Sequence, residues 1–154
     1  MSTPPPAREL PQPLKGLKVV EFTHMVMGPT CGMVLADLGA EVIKVEPIDG
    51  DRTRTLLGAG IGFFPMFNRN KFSVQIDLHQ GAGAAVARRL AASADVVAEN
   101  FKPGTMVKYG LDYAALSQTN PRLIYATHKG FLPGPYEHRT ALDEVVQMMG
   151  GLAY

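Results

Sequence analysis

A single cysteine, Cys31, is all the thiol chemistry this sequence holds, so no disulfide can form within it and a reducing compartment suits it. The ordinary role for such a residue is a small buried hydrophobe, ahead of a reactive thiol. An excess of one charge is missing too. Fifteen Lys and Arg stand against 14 Asp and Glu, a formal net charge of +1, which leaves no broad positive field for nucleic acid. Long apolar runs are absent: the uncharged stretch of residues 55–68 is broken by three glycines and Pro65 and falls short of the roughly 20 residues of a spanning helix. His24, His79, His128 and His138 are scattered and Cys31 has no companion, so no metal-ligand spacing forms. Neither a Gly-x-Ser-x-Gly elbow nor a Walker loop occurs. Residues 1–15 show no basic start, apolar run or cleavage site of a secretory leader; they hold Pro4, Pro5, Pro6, Pro11 and Pro13. The expectation is a loose proline-rich arm on a cytoplasmic protein with no membrane or nucleic-acid partner.

What is present is a globular composition, 46% hydrophobic and 19% charged over 154 residues, enough for one core over 16–154. Leu17 to Phe22, Glu41 to Val45, Phe72 to Leu78, Asp95 to Asn100 and Leu123 to Thr127 read as strands. Between them lie helical patterns from Pro29 to Leu38, stopped by Gly39, from Gln80 to Ser93, and from Tyr113 to Gln118 with Asp112 as its N-cap. Ala141 to Met149 reads as a last helix ended by Gly150-Gly151. Residues 46–71 are too long for a simple connector and read as a functional loop or lid. The alternation predicts an α/β fold, a Rossmann-like parallel sheet with helices on both faces. Leu152-Ala153-Tyr154 reads as the start of another buried element, so a truncated domain is expected.

Ligands of open α/β sheets sit beyond the carboxyl ends of the strands. Here those ends carry Thr23 to Met27, Asn100 to Gly104, and His128 to Phe131, each mixing polar donors, an apolar plate or glycine. For His24 and His128 a structural imidazole and a ligand contact are equally open. The helix opening near Pro29 turns its positive end toward the same edge, which favours phosphate. Gly58-Ala59-Gly60-Ile61-Gly62 does not join a strand to a helix and is read as flexible loop rather than a dinucleotide fingerprint. Arg52, Arg54, Arg69 and Lys71 flank it, as a solvated basic face ahead of a phosphate site. Asp143 and Glu144 adjoin the last helix start, and only one of such neighbours can face the crevice.

These segments resemble family III coenzyme A transferases, the group with formyl-CoA transferase, carnitine CoA-transferase and the related α-methylacyl-CoA racemases. The resemblance rests on Gly16 to His24 followed by Gly28-Pro29, on Leu38 to Glu46, and on Asn68 to Ser73. It continues through Asp95 to Gly104, the most specific match, and Asn120 to Tyr125, then Lys129-Gly130-Phe131 and Gly134-Pro135-Tyr136. It implies the N-terminal part of a larger interlocked-dimer fold, a homodimer when full length. No cofactor is held permanently; acyl-CoA is a substrate, with a carboxylic acid as acceptor. Implied coenzyme contacts fall on His24, Met25, Met27, Ile76, His79, Asn100, Phe101 and Lys108. The family's covalent chemistry needs a nucleophilic aspartate in a Gly-Asp motif beyond the helix of Asp143, and this sequence holds none. Asp143 matches a supporting acid. Val26, Pro47 and Thr140 replace a glutamine, an arginine and a lysine of formyl-CoA transferase, which points to a larger or less charged acid than oxalate. A racemase of this kind has histidine where Leu142 stands, so transferase ranks first; a non-catalytic CoA-binding module is the remaining reading.

Overall fold

The computed structural model describes residues 11–139 and 141–152, the side chains of Ala59 and Asp143 aside. Strand β1 (Lys18–Phe22) is followed by helix α1 (Met27–Asp37) and β2 (Glu41–Glu46). Short helix α2 (Phe63–Phe67), β3 (Phe72–Gln75) and α3 (Gly81–Ala92) come next. Then come β4 (Val96–Glu99), α4 (Thr105–Lys108), α5 (Tyr113–Leu116), β5 (Ile124–Thr127) and α6 (Asp143–Met149). The five strands form one sheet in the order β3-β2-β1-β4-β5, and every pairing is parallel. Strand order reverses at β1, which makes the β1/β4 boundary the place where a crevice opens.

Both faces of the sheet are covered, which is why its inner strands read as apolar runs. On one face Val20, Phe22, Val45 and Val97 pack with Ala87, Ala91, Met106, Leu111 and Leu116. The buried alanines of α3 let that helix lie close to the strands. On the other face Val19 and Val42 meet Ala36 and Ala40. Strand side chains alternate, so Glu21 shares the face of Val19, and Lys44 and Glu46 share that of Val42. The layer under α1 is therefore apolar over its first half and ionic over its second.

The expected elements form, with shifted ends. Strand β3 stops at Gln75 rather than Leu78 because Asp77 takes the His79 amide on its side chain at 2.9 Å and the Gln80 amide on its carbonyl at 3.2 Å, a turn that ends pairing. Asp112 precedes α5 but makes no capping side-chain bond. Residues 46–71 are more ordered than a lid pattern implies: 3-10 turns at Arg52–Thr55 and Gly58–Gly62 precede α2. The glycine cluster thus forms a turn and joins no strand to a helix.

Candidate functional site

Beyond the strand ends lies a crevice of about 490 Å³. His24 reaches it from β1, Pro47, Ile48 and Asp49 from β2, and Ile76, Asp77 and His79 from the turn after β3. Phe101, Lys102 and Tyr109 complete its far side after β4. Apolar plates alternate with a few polar tips, as in sites that hold a small molecule by its shape and orient it by hydrogen bonds.

The β1 turn is clasped to the end of β4. Asn100 Oδ1 accepts from the His24 amide at 3.0 Å and its Nδ2 donates to the His24 carbonyl at 2.8 Å. The same Oδ1 lies 3.0 Å from His24 Nδ1. A carbonyl oxygen only accepts, so Nδ1 carries the proton and Nε2 is left to face solvent or a ligand. The His24 ring sits 5.6 Å from that of Phe101, tilted by 38°. Met25 takes a left-handed backbone, φ 64°, unusual for an unbranched residue with a side chain. Gly28 is needed behind this turn because a Cβ there would meet Thr23 at 2.7 Å and Asn100 at 3.1 Å.

Of the residues implied by resemblance, His24, Ile76, His79 and Phe101 line one crevice, and Asn100 fixes the first of them. Met25, on the adjoining turn, and Met27, which opens α1, stand exposed and do not line it. Lys108 lies 5.4 Å over the Tyr109 ring; Tyr109 OH is 3.3 Å from His79 Nδ1, with the two rings edge to face. Asp143 opens α6; its side chain and Thr140 lie outside the described residues. Pro47 lines the crevice. Lys102 belongs to the strand end the sequence pointed to, whereas Asp49, Asp77 and Tyr109, one to three residues past a strand end or a short helix, were not singled out.

Three of the cations flanking the glycine cluster are engaged in ion pairs. Arg54 binds Glu46 through two bonds of 2.7 and 2.8 Å and stacks 3.7 Å over Phe64. Arg69 pairs with Asp37. Lys71 reaches Glu21 at 2.8 Å and the Pro29 carbonyl at 2.7 Å. Arg52, Arg54 and Arg69 keep the exposure of a solvated basic face, and only the Lys71 ammonium is buried. Burial would raise the Glu46 carboxyl, but bonds from Arg54, the Asp51 amide and Ser73 outweigh it and bring it down to about 2. Burial, reinforced by Glu21, pushes the Cys31 thiol up, which fits an inert thiol rather than a nucleophile.

His128 hooks back onto β4, its amide 2.8 Å and its Nδ1 3.1 Å from the Glu99 carbonyl, so it is a structural imidazole. Lys129 donates to Glu99 at 3.2 Å and to the Phe101 carbonyl at 3.0 Å. Burial, with Glu99 nearby, pushes the Tyr125 phenol up; it donates to the Leu111 carbonyl at 3.0 Å and takes no part in proton transfer near neutrality. No cluster of metal-ligating side chains occurs among the described residues, and no helix there is long and apolar enough to cross a membrane.

The family model for CoA-transferase family III matches residues 14–154. An acetyl-CoA:oxalate CoA-transferase of Acetobacter aceti is 42% identical over 91% of this chain and 37% of its own length. A succinate–glutarate CoA-transferase of Agrobacterium fabrum is 42% identical over 90% of this chain and 38% of its own. A solved CAIB/BAIF family protein from Brucella suis superimposes with a TM-score of 0.84 at 46% identity, over 92% of this chain and 40% of that one. The chain thus spans little more than a third of the curated relatives it matches.

Proposed function

Because the chain belongs to CoA-transferase family III, we propose that the protein moves coenzyme A between an acyl-CoA and a carboxylic acid, and that residues 16–154 hold the coenzyme. The observation that carries this reading is the crevice where His24, Ile76, His79 and Phe101, from three separate strand ends, converge. A coenzyme A molecule needs a plate for its adenine, cations for its phosphates and partners for its pantetheine arm. Phe101 or Tyr109 supplies the plate, Lys102 and Lys108 the charge, and His24 Nε2 a hydrogen-bond partner.

The chemistry on this reading is covalent catalysis by a carboxylate. An aspartate oxygen attacks the thioester carbonyl and expels the CoA thiolate, leaving an acyl-aspartyl anhydride. The thiolate attacks the aspartyl carbonyl and releases the first acid, giving an aspartyl-CoA thioester. An acceptor carboxylate then repeats the two steps in reverse, and the aspartate is regenerated. The attacking aspartate is not one of the acids of these 154 residues, and Asp143 acts as a supporting acid. A crevice wall with Pro47 in place of a cation favours an acid less charged than oxalate. Leu142 offers no imidazole for a second base, which sets the racemase reading aside.

Calorimetry with free CoA, followed by exchange of labelled carboxylic acids against acyl-CoA by the complete protein, tests the reading. Binding with exchange is expected. Binding without exchange against any acid of a broad panel would leave a coenzyme-binding module instead.

A further inference from the structure

The ionic half of the layer under α1 is unused by the coenzyme reading, yet it touches two of the segments that line the crevice. Lys44 is 1% exposed. Its ammonium donates to the Thr23 carbonyl at 2.6 Å, pairs with Asp51 at 2.9 Å, and lies 3.9 Å from Glu21. Thr23 immediately precedes His24, and Asp51 lies two residues beyond Asp49; His24 and Asp49 both line the crevice. Asp51 is itself fixed, taking the Thr53 amide and hydroxyl at 2.9 and 2.8 Å while its own amide donates to Glu46 at 2.8 Å. One buried ammonium thus ties the turn after β1 to the loop after β2.

Stability alone does not account for it. Desolvating two ions costs several kcal/mol, and a buried pair is often matched by apolar residues of similar volume. Each fully buried Val or Phe of the same sheet, by contrast, contributes roughly 1.5–3 kcal/mol outright. A salt bridge at this spot contributes direction rather than adhesion. The turn it holds includes Met25 in its left-handed conformation, a local strain that persists only where surrounding contacts fix it.

We propose that Lys44 is a positioning residue for the coenzyme crevice, setting the separation of the His24 turn from the Pro47–Asp49 loop. The inference rests on the coenzyme reading above. Lys71 provides the comparison: it is an equally buried ammonium of the same network, 2% exposed, but it binds Glu21, Pro29 and Asn68, none of which lines the crevice.

The test compares the complete unaltered protein with Lys44→Met, the charge-balanced Lys44→Met/Asp51→Asn, Asp51→Asn alone, and Lys71→Met. Free CoA is the calorimetric probe, and acyl-CoA is the varied substrate. Misplaced walls weaken binding, so the Lys44 variants should raise both the Kd for CoA and the KM for acyl-CoA about tenfold, a misplacement effect well within known bounds. Their kcat at saturation should be retained. A loss of folded fraction would instead lower kcat at unchanged KM, and Lys71→Met should leave KM within about twofold, under 0.5 kcal/mol. Asp51→Asn keeps the acceptor for Thr53 and removes only the pairing charge, so it serves where a Lys44 variant fails to fold; a raised KM is expected there also. If the unaltered protein binds no CoA, this inference and the reading beneath it both fail. If it binds CoA but the folded Lys44 and Asp51 variants bind it equally, or Lys71→Met raises KM as much, only the positioning role of Lys44 fails.

Discussion

Gly32 and Gly81 sit in helices of the same sheet and respond to a methyl group in opposite ways. A Cβ at Gly32 would fall 1.8 Å from Glu21 Oε2 and 3.1 Å from Lys71 Nζ, and Glu21 is fully buried, so its carboxylate has nowhere to swing. Its Oε2 already lacks a hydrogen-bond partner among the described residues. Overpacking costs about 1–3 kcal/mol, against about 1 kcal/mol gained in helix propensity. Gly32→Ala should therefore lower unfolding free energy in urea by about 1 kcal/mol, and by up to about 2 kcal/mol if Glu21 cannot shift. Nothing lies within 4 Å of a Cβ at Gly81, and Gly81→Ala should gain about 0.4–1 kcal/mol through the unfolded state. Glu46 gives a pH test at the same scale. Its folded carboxyl lies at about 2 against an ordinary 4.5; a lowered folded value means stability that is fully present above about 4.5 and lost as pH falls toward 2. Glu46→Gln should cost on the order of 2–3 kcal/mol at pH 7, and the gap from the unaltered protein should close across that window. A gap constant from pH 7 to pH 2 would show that the charge on Glu46 contributes nothing.

At the scale of elements, β4 and its end carry the most specific expectation. Phe101 is half-buried on the crevice wall, whereas Lys108 is exposed. An aromatic plate under a base contributes about 1–3 kcal/mol, while an exposed cation is screened by salt. Phe101→Ala should weaken CoA binding at least fivefold more than Lys108→Ala in calorimetry at 0.15 M salt; the reverse order would reject the stacking role. The strands behind these side chains were legible because a parallel sheet covered on both faces needs continuous apolar segments, and Val19-Val20 and Val96-Val97 supply them. The convergence of His24 with His79 and Phe101 followed from strand ends and resemblance together. What stayed hidden was pairing. Glu21, Lys44 and Glu46 occupy alternate positions in strands that otherwise read as apolar, and that spacing was the available signal for an ionic layer on one face. The same blindness hid the ion pairs of Arg54, Arg69 and Lys71, because their partners Glu46, Asp37 and Glu21 lie 8 to 50 residues away. Turn chemistry at Asp77 shortened β3 for a reason no strand pattern contains.

For the whole chain, the inventory of carboxylates decides what chemistry these residues can perform alone. Glu21 and Asp51 are paired to buried lysines, Glu46 to Arg54 and Glu99 to Lys129, so none is free to attack a carbonyl. Asp49 and Asp77 line the crevice, but Asp77 is engaged by the His79 amide. Acyl transfer demands a nucleophile held within about 3–3.5 Å of the thioester carbon, with partners that desolvate and activate it. Asp143, on the family reading, steers charge rather than forming the bond. On the family reading, the 154-residue chain should bind CoA without becoming acylated: incubated with acetyl-, succinyl- and branched acyl-CoA esters, it should gain no covalent mass and yield no hydroxamate on treatment with hydroxylamine. On the proposed mechanism the complete protein should yield the hydroxamate under the same conditions. A stoichiometric adduct mapped to Asp49, Asp77 or Asp143 in the 154-residue chain, with transfer to an added acid, would overturn that assignment of roles, and the crevice would then hold a complete catalytic carboxylate of its own.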